Sequence, residues 1–190
     1  MITPSTITNF NRTEAELEEF LMFAILVAGK GAEQQAKKLD AFLSHRHNAT
    51  PFEYIDYLFG NNRVMFRNAI RHHKLGQYNR IEQAFKGILM FKGKLKSVTI
   101  EQLESISGIG SKTARFFILH SRPDANVAVL DTHILKWMNE QGYNNIPKAT
   151  PPKKKYAEIE KLFLQEAIRH QMTPADLDLT IWKSYATKAA

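Results

Sequence analysis

Ile106-Ser107-Gly108-Ile109-Gly110-Ser111-Lys112-Thr113-Ala114 is the stretch whose reading decides the fold. Its two glycines stand one residue apart, between a short helical segment opened by the capping box Thr99-Ile100-Glu101-Gln102 and a helix-forming run from Ser111 to about His120. Glycine permits positive φ and lets the main chain approach another molecule closely. The amides that open the second helix lack intrahelical partners. With the positive end of the helix dipole behind them, they form a site for an anion such as a DNA phosphate. A bare Gly-x-Gly is more often a tight helix–helix corner with glycine caps, so the glycines alone do not carry the anion-site reading.

Outward from that corner, nearly every segment carries helical spacing. Thr13-Glu14-Ala15-Glu16 is another capping box, followed by Leu17, Phe20, Leu21, Ala24 and Ile25. Gly29-Lys30-Gly31 breaks that helix, and a second runs from Ala32 to Leu43. Pro51 opens a helix through Tyr57, and the Gly60-Asn61-Asn62 turn starts one reaching about His73. After Leu75-Gly76-Gln77 comes a helix with Ile81, Phe85, Ile88 and Leu89, ended by Gly93. Asp131 caps a helix over 132–140, residues 142–155 read as loop, and helices over 155–170 and 174–186 close the chain. Val127-Ala128-Val129-Leu130 is the one strand-like run, short and isolated. The expected class is all-α.

The 190 residues suffice for one domain or two small subdomains. The absence of cysteine excludes disulfides, thiolate zinc sites, a cysteine nucleophile and a cysteine-held iron–sulfur cluster. Twenty-six basic against nineteen acidic residues give a net charge of +7 and a pI near 9.5, suited to a polyanionic partner. The longest apolar run, Phe20 to Ala28, is too short to span a bilayer, and Met1-Ile2-Thr3-Pro4 does not begin a signal peptide. A cytoplasmic, nucleoid-associated location follows as the expectation. His72-His73 and His45-x-His47 do not make a metal site: adjacent residues on a helix point apart, and no third ligand is evident.

The glycine stretch, taken with Leu130-Asp131-Thr132-His133-Ile134-Leu135, resembles the helix–hairpin–helix superfamily of base-excision DNA glycosylases, both endonuclease III-like and 8-oxoguanine glycosylase-like. Asp131 follows Lys112 by nineteen residues, close to the superfamily's spacing. Gly76-Gln77-Tyr78-Asn79 stands where endonuclease III-like members carry a Gly-x-Tyr-Asn wedge loop, and Leu177-Asp178-Leu179 with Ile181-Trp182 resembles the last helix of a small 8-oxoguanine-specific branch. Two departures are visible. The cluster cysteines of many relatives are missing, and Ser107 replaces a frequent proline at the hairpin entry.

The resemblance implies two helical subdomains flanking a DNA-binding cleft within one glycosylase-like domain over 1–190. The central subdomain would span 29–130, with the helix–hairpin–helix at about 100–120. Residues 1–28 plus 131–190 would form the other. It also implies a bifunctional glycosylase/AP lyase that flips a damaged or modified base from duplex DNA. Lys112 would be the Schiff-base nucleophile, its amine kept neutral by the helix N-terminus and a desolvated pocket. Asp131 would stabilise positive charge developing at C1′. Gly108, Ile109, Gly110, Ser111, Thr113, Gln77, Lys30 and His133 are the expected DNA-binding residues. Asp178, Trp182 and Lys183 are candidates for the base pocket. No metal or other cofactor is expected, and the protein would act as a monomer on double-stranded DNA. Two competing readings stay open: a bacteriophage transferase of glycosylase fold that hypermodifies thymine, which would make the chain phage-encoded, and a non-catalytic DNA-binding module.

Overall fold

A helix that is apolar around its whole circumference has to be covered on every side. The second half of helix α1 (Glu14–Leu26) is of this kind: Leu17 and every residue from Phe20 to Leu26 are buried, while Glu14, Glu16, Glu18 and Glu19 keep its first turns polar. The computed structural model describes residues 2–3 and 5–186, so part of the amino-terminal tetrapeptide read above lies outside the described residues. Around α1 pack α2 (Ala32–Leu43), α3 (Pro51–Asn61), α5 (Tyr78–Met90) and α7 (Ser111–Ser121), with α4 (Arg63–His72) against α3 and α5, and α6 (Ile100–Glu104) against α7. Phe20, Phe23, Phe116 and Phe117 form the aromatic contact between α1 and α7. A second, smaller core joins α8 (Thr132–Glu140), α9 (Lys153–Arg169) and α10 (Pro174–Ala186) through Ile134, Leu135, Met138, Tyr156, Ile159, Phe163 and Ile181.

All-helical architecture with two hydrophobic cores agrees with the expected class, but the first helix goes elsewhere than expected. Among the described residues, α1 packs chiefly at the centre of the larger core, which also holds α2 to α7, and not in the core of α8 to α10. Its unbroken apolar run explains this, because only a position enclosed by several helices buries so many side chains, each contributing about 1.5–3 kcal/mol. The segment before α1 is fastened by Arg12. Its guanidinium lies over the Phe20 ring and donates to the carbonyls of Thr6, Ile7, Asn9 and His120. Burial drops its pKa to about 10.

Several boundaries moved. Helix α3 continues through Gly60 to Asn61, and Asn62 caps α4 by accepting from the Val64 amide at 2.8 Å. Helix α5 stops at Met90, before Gly93, and α6 ends at Glu104. Lys153–Lys155 is the first turn of α9, opened by Pro152, instead of a linker; Lys153 Nζ lies 2.6 Å from Glu104. Arg115 of α7 bridges Glu104 and Glu160 at 2.9 and 2.8 Å, so a charge network ties the two cores together.

No strand occurs among the described residues. Residues 127–130 are extended but their main-chain groups are satisfied by side chains. Ala128 N–H donates to Glu160, the Leu130 N–H donates to the Tyr156 hydroxyl, and that hydroxyl donates to the Ala128 carbonyl. Thr150 Oγ1 donates to the Leu130 carbonyl. A buried extended segment needs such partners when no neighbouring strand supplies them.

Candidate active site

Gly108 makes the turn between α6 and α7 at φ +89°, and a Cβ there would meet the Arg80 carbonyl oxygen at 2.9 Å and Ala84 Cβ at 3.1 Å. Position 108 therefore accepts only glycine without a shift, on grounds of both φ and space. Ile106 and Ile109 are buried in the larger core and pin the hairpin from below. The side chain of Ile109 thus anchors the hairpin to the core. Gly110 is the N-cap of α7 and offers no side-chain cap, so the amides of its first turn stay open for an outside acceptor.

Lys112 occupies that first turn and points into a cavity of about 990 Å³ whose lining comes from both cores. The opposite wall holds Asp131, the N-cap of α8, whose Oδ1 accepts from the amides of His133 and Ile134 at 2.9 Å each. Asn and Asp are the residues that cap in this way, and the cap fixes where the carboxylate sits. Gly29-Lys30-Gly31, Gln77, Arg80, Gly108, Gly110, Ser111, Thr113, His133, Asp178 and Trp182 complete the chemically relevant lining. The sequence-derived residues converge on one cavity with two exceptions, Ile109, which is buried in the larger core, and Lys183, which is exposed on α10 and lies outside the lining. Its position one residue past Trp182 turns it away on the helix.

Burial pushes the Lys112 amine below its ordinary pKa, opposed by the anionic charges of Asp131 and Asp178 and assisted by Arg80. The Phe116 ring lies 5.4 Å from its Nζ. Asp178 is buried, with Oδ2 3.2 Å from His120 Nε2, and His120 Nδ1 is 2.8 Å from Thr8 Oγ1. Burial pushes the Asp178 carboxyl up, and the His120 contact and Lys112 charge pull it back. Trp182 is half-buried in the wall. His133 stacks on Tyr185, with centroids 5.6 Å apart and planes at 21°.

At the mouth, two loops meet. Gln77 adopts φ 44°, ψ 43°, and its Nε2 donates to the Ala28 carbonyl at 3.2 Å. Lys30 reaches across to Gly76, where an added Cβ would lie 2.2 Å from its Nζ. Among the described residues, no group of three or more His, Asp or Glu side chains could hold a metal ion. No helix among them is long and apolar enough to cross a membrane.

Sequence reasoning missed Arg80, His120 and Arg12. Arg80 follows the Gly76–Asn79 turn directly, and a cation in the first turn of a helix, where the dipole disfavours it, was the available signal. His120 and Arg12 act through contacts spanning more than a hundred residues, which no local pattern announces.

A family model described as 8-oxoguanine DNA glycosylase matches residues 5–172. The 8-oxoguanine DNA glycosylase/AP lyase of Methanocaldococcus jannaschii is 29% identical over 180 residues, covering 90% of this chain and 81% of that protein. Among solved structures, the M. jannaschii 8-oxoguanine glycosylase/lyase in complex with a 15mer DNA containing 8-oxoguanine superposes with a TM-score of 0.70 at 24% identity. The 8-oxoguanine DNA glycosylase of Thermotoga maritima does so with 0.70 at 22%. Each covers 94% of this chain and is covered over 85% of its own length. At these identities the two structures speak for the fold.

Proposed function

The chain belongs to the 8-oxoguanine DNA glycosylase family, and from that premise we propose how its own residues carry out base excision and strand cleavage. It is a DNA glycosylase/AP lyase rather than a thymine-modifying transferase or a passive DNA-binding module. Its substrate is duplex DNA carrying 8-oxoguanine, the base named for the family and its relatives. The observation that carries the assignment of roles is the meeting of Lys112 and Asp131 in one cavity, with the amine's pKa depressed.

The flipped nucleotide enters the cavity between the two cores, which act as the lobes of the DNA cleft. The neutral Lys112 amine forms a bond to C1′ as the glycosidic C1′–N bond breaks. The electron pair of that bond leaves with the base, which takes up a proton. Positive charge spreads over C1′ and the ring oxygen in the transition state, and the fixed Asp131 carboxylate stabilises it. Loss of the amine proton and opening of the sugar ring, whose oxygen is protonated, give the Schiff base. Removal of a C2′ proton then expels the 3′ phosphate by β-elimination. The open amides of Ser111, Lys112 and Thr113, with the Gly108–Gly110 turn, take a backbone phosphate. Trp182 stacks on the extruded base, Gln77 and Lys30 probe the duplex at the mouth, and His133 sits on the phosphate side. The protein works as a monomer in the cytoplasm.

Sodium borohydride reduction of the reaction with an 8-oxoguanine duplex tests this. A covalent protein–DNA adduct forms with the unaltered protein and vanishes in Lys112→Gln. An adduct that survives this substitution would remove Lys112 from the mechanism.

A further inference from the structure

Arg80, in the first turn of α5, makes three hydrogen bonds to three separate segments. Its Nε donates to Gln77 Oε1 at 2.5 Å, one terminal nitrogen to the Gly108 carbonyl at 3.1 Å, and the other to the Ile25 carbonyl at 2.6 Å. All three acceptors are uncharged. No carboxylate among the described residues pairs with it, unlike Arg63, Arg67 and Arg115. A guanidinium held this way is immobilised without being neutralised. It also lines the cavity that contains Lys112.

We propose that Arg80 is a positioning residue for the Schiff-base step: its three hydrogen bonds lock the Gln77 turn to the hairpin that leads into Lys112 and hold a fixed, unneutralised cation in the same cavity as the amine. The inference rests on Lys112 as the nucleophile. A nearby like charge disfavours the ammonium form of a lysine. The titratable and charged groups that share the cavity with Lys112 are Lys30, Arg80, Asp131, His133 and Asp178. Burial is the largest influence on its protonation and disfavours the ammonium, Asp131 and Asp178 favour it, and Arg80 adds a smaller push on the side of burial. Without Arg80 the two carboxylates would act unopposed by any fixed cation. The forked guanidinium suits the task because it is always charged and can satisfy three acceptors at fixed angles.

The same hydrogen bonds give Gln77 a defined resting place. Its amide oxygen is taken by Arg80 and its amide nitrogen by Ala28, so both ends of the side chain are held at left-handed backbone geometry. The turn that meets the duplex and the hairpin that meets the phosphate are thereby joined through one side chain.

The test is the pH profile of single-turnover borohydride trapping on an 8-oxoguanine duplex, for the unaltered protein, Arg80→Gln and Arg80→Lys, each checked by thermal melting. Loss of the charge in Arg80→Gln moves the acid limb of the profile upward by about one pH unit, a roughly tenfold loss below the limb and none from this cause above it. Arg80→Lys keeps a charge but not the fork, so its acid limb stays within a few tenths of a pH unit while trapping slows equally at every pH. An Arg80→Gln limb in its original place, or an Arg80→Lys limb displaced as far as that of the glutamine variant, overturns the proposal. If Arg80→Gln does not fold, Arg80→Met supplies the uncharged arm, with the same expected and overturning outcomes. Failure of the unaltered protein to trap at any pH instead removes the Lys112 premise, so the two failures are told apart.

Discussion

Gly108→Ala is the sharpest perturbation available, because two separable penalties fall on one methyl group. A non-glycine residue at φ +89° carries left-handed strain of about 1–2 kcal/mol. The new Cβ would also sit 2.9 Å from the Arg80 carbonyl oxygen and 3.1 Å from Ala84 Cβ. The first of these is helix main chain and cannot swing aside, so the hairpin must move off α5, at about another 1–2 kcal/mol. The sum of about 2–4 kcal/mol lowers the melting temperature by roughly 5–12 °C for a chain of this size. Gly29→Ala supplies the control: its φ is +71°, but nothing lies within 4 Å of the added carbon. It should show the strain alone, about 1 kcal/mol. Urea unfolding of both variants measures the difference, and single-turnover base release reports whether the hairpin has moved Lys112, with a loss of about tenfold or more expected. Equal stabilities for the two variants would refute the close-approach argument.

Two other outcomes bear on the carboxylates. Asp131→Asn retains a capping oxygen for the His133 and Ile134 amides, so its melting temperature stays within about 2 °C while base release slows about 100-fold or more; an unchanged single-turnover rate would deny Asp131 its electrostatic role. Asp178→Asn removes a carboxyl whose pKa burial lifts above its ordinary value. The folded state holds that proton more tightly than the unfolded chain, so this group's contribution falls as pH climbs through the raised value. The stability of Asp178→Asn relative to the parent should therefore improve between pH 4.5 and pH 8 in paired thermal melts. No change or a decline would mean that the carboxyl is not lifted.

The parts of this molecule that were legible in its sequence are those encoded locally. Capping boxes at Thr13 and Thr99, the Asp131 cap and the glycine pair all act within four residues, and each stands where the pattern put it. The hairpin, Lys112 and Asp131 could be named because a short motif and its spacing carry them. The destination of α1 was not readable in the same way, since the all-round apolar run from Phe20 to Leu26 tells that it is enclosed but not by what. Arg80 escaped because its three acceptors, Ile25, Gln77 and Gly108, are scattered along the chain. Lys153–Lys155 fell in the stretch read as loop, and only the fold brings Glu104 to Lys153. Whether a charge is a free surface charge or a tether depends on what the fold places opposite it.

The Tyr156 hydroxyl, wedged between Ala128 and Leu130, gives the acid of the cavity an unexpected dependence. The extended segment that delivers Asp131 has no sheet to stiffen it and leans on side chains instead, Tyr156 and Glu160 of α9 and Thr150. Loosening of the smaller core, even far from the cavity, is therefore transmitted as a change in the aim of that carboxylate. Such a protein should lose catalytic alignment before it loses its helices, so heat or denaturant would silence it while its circular dichroism still reads as native.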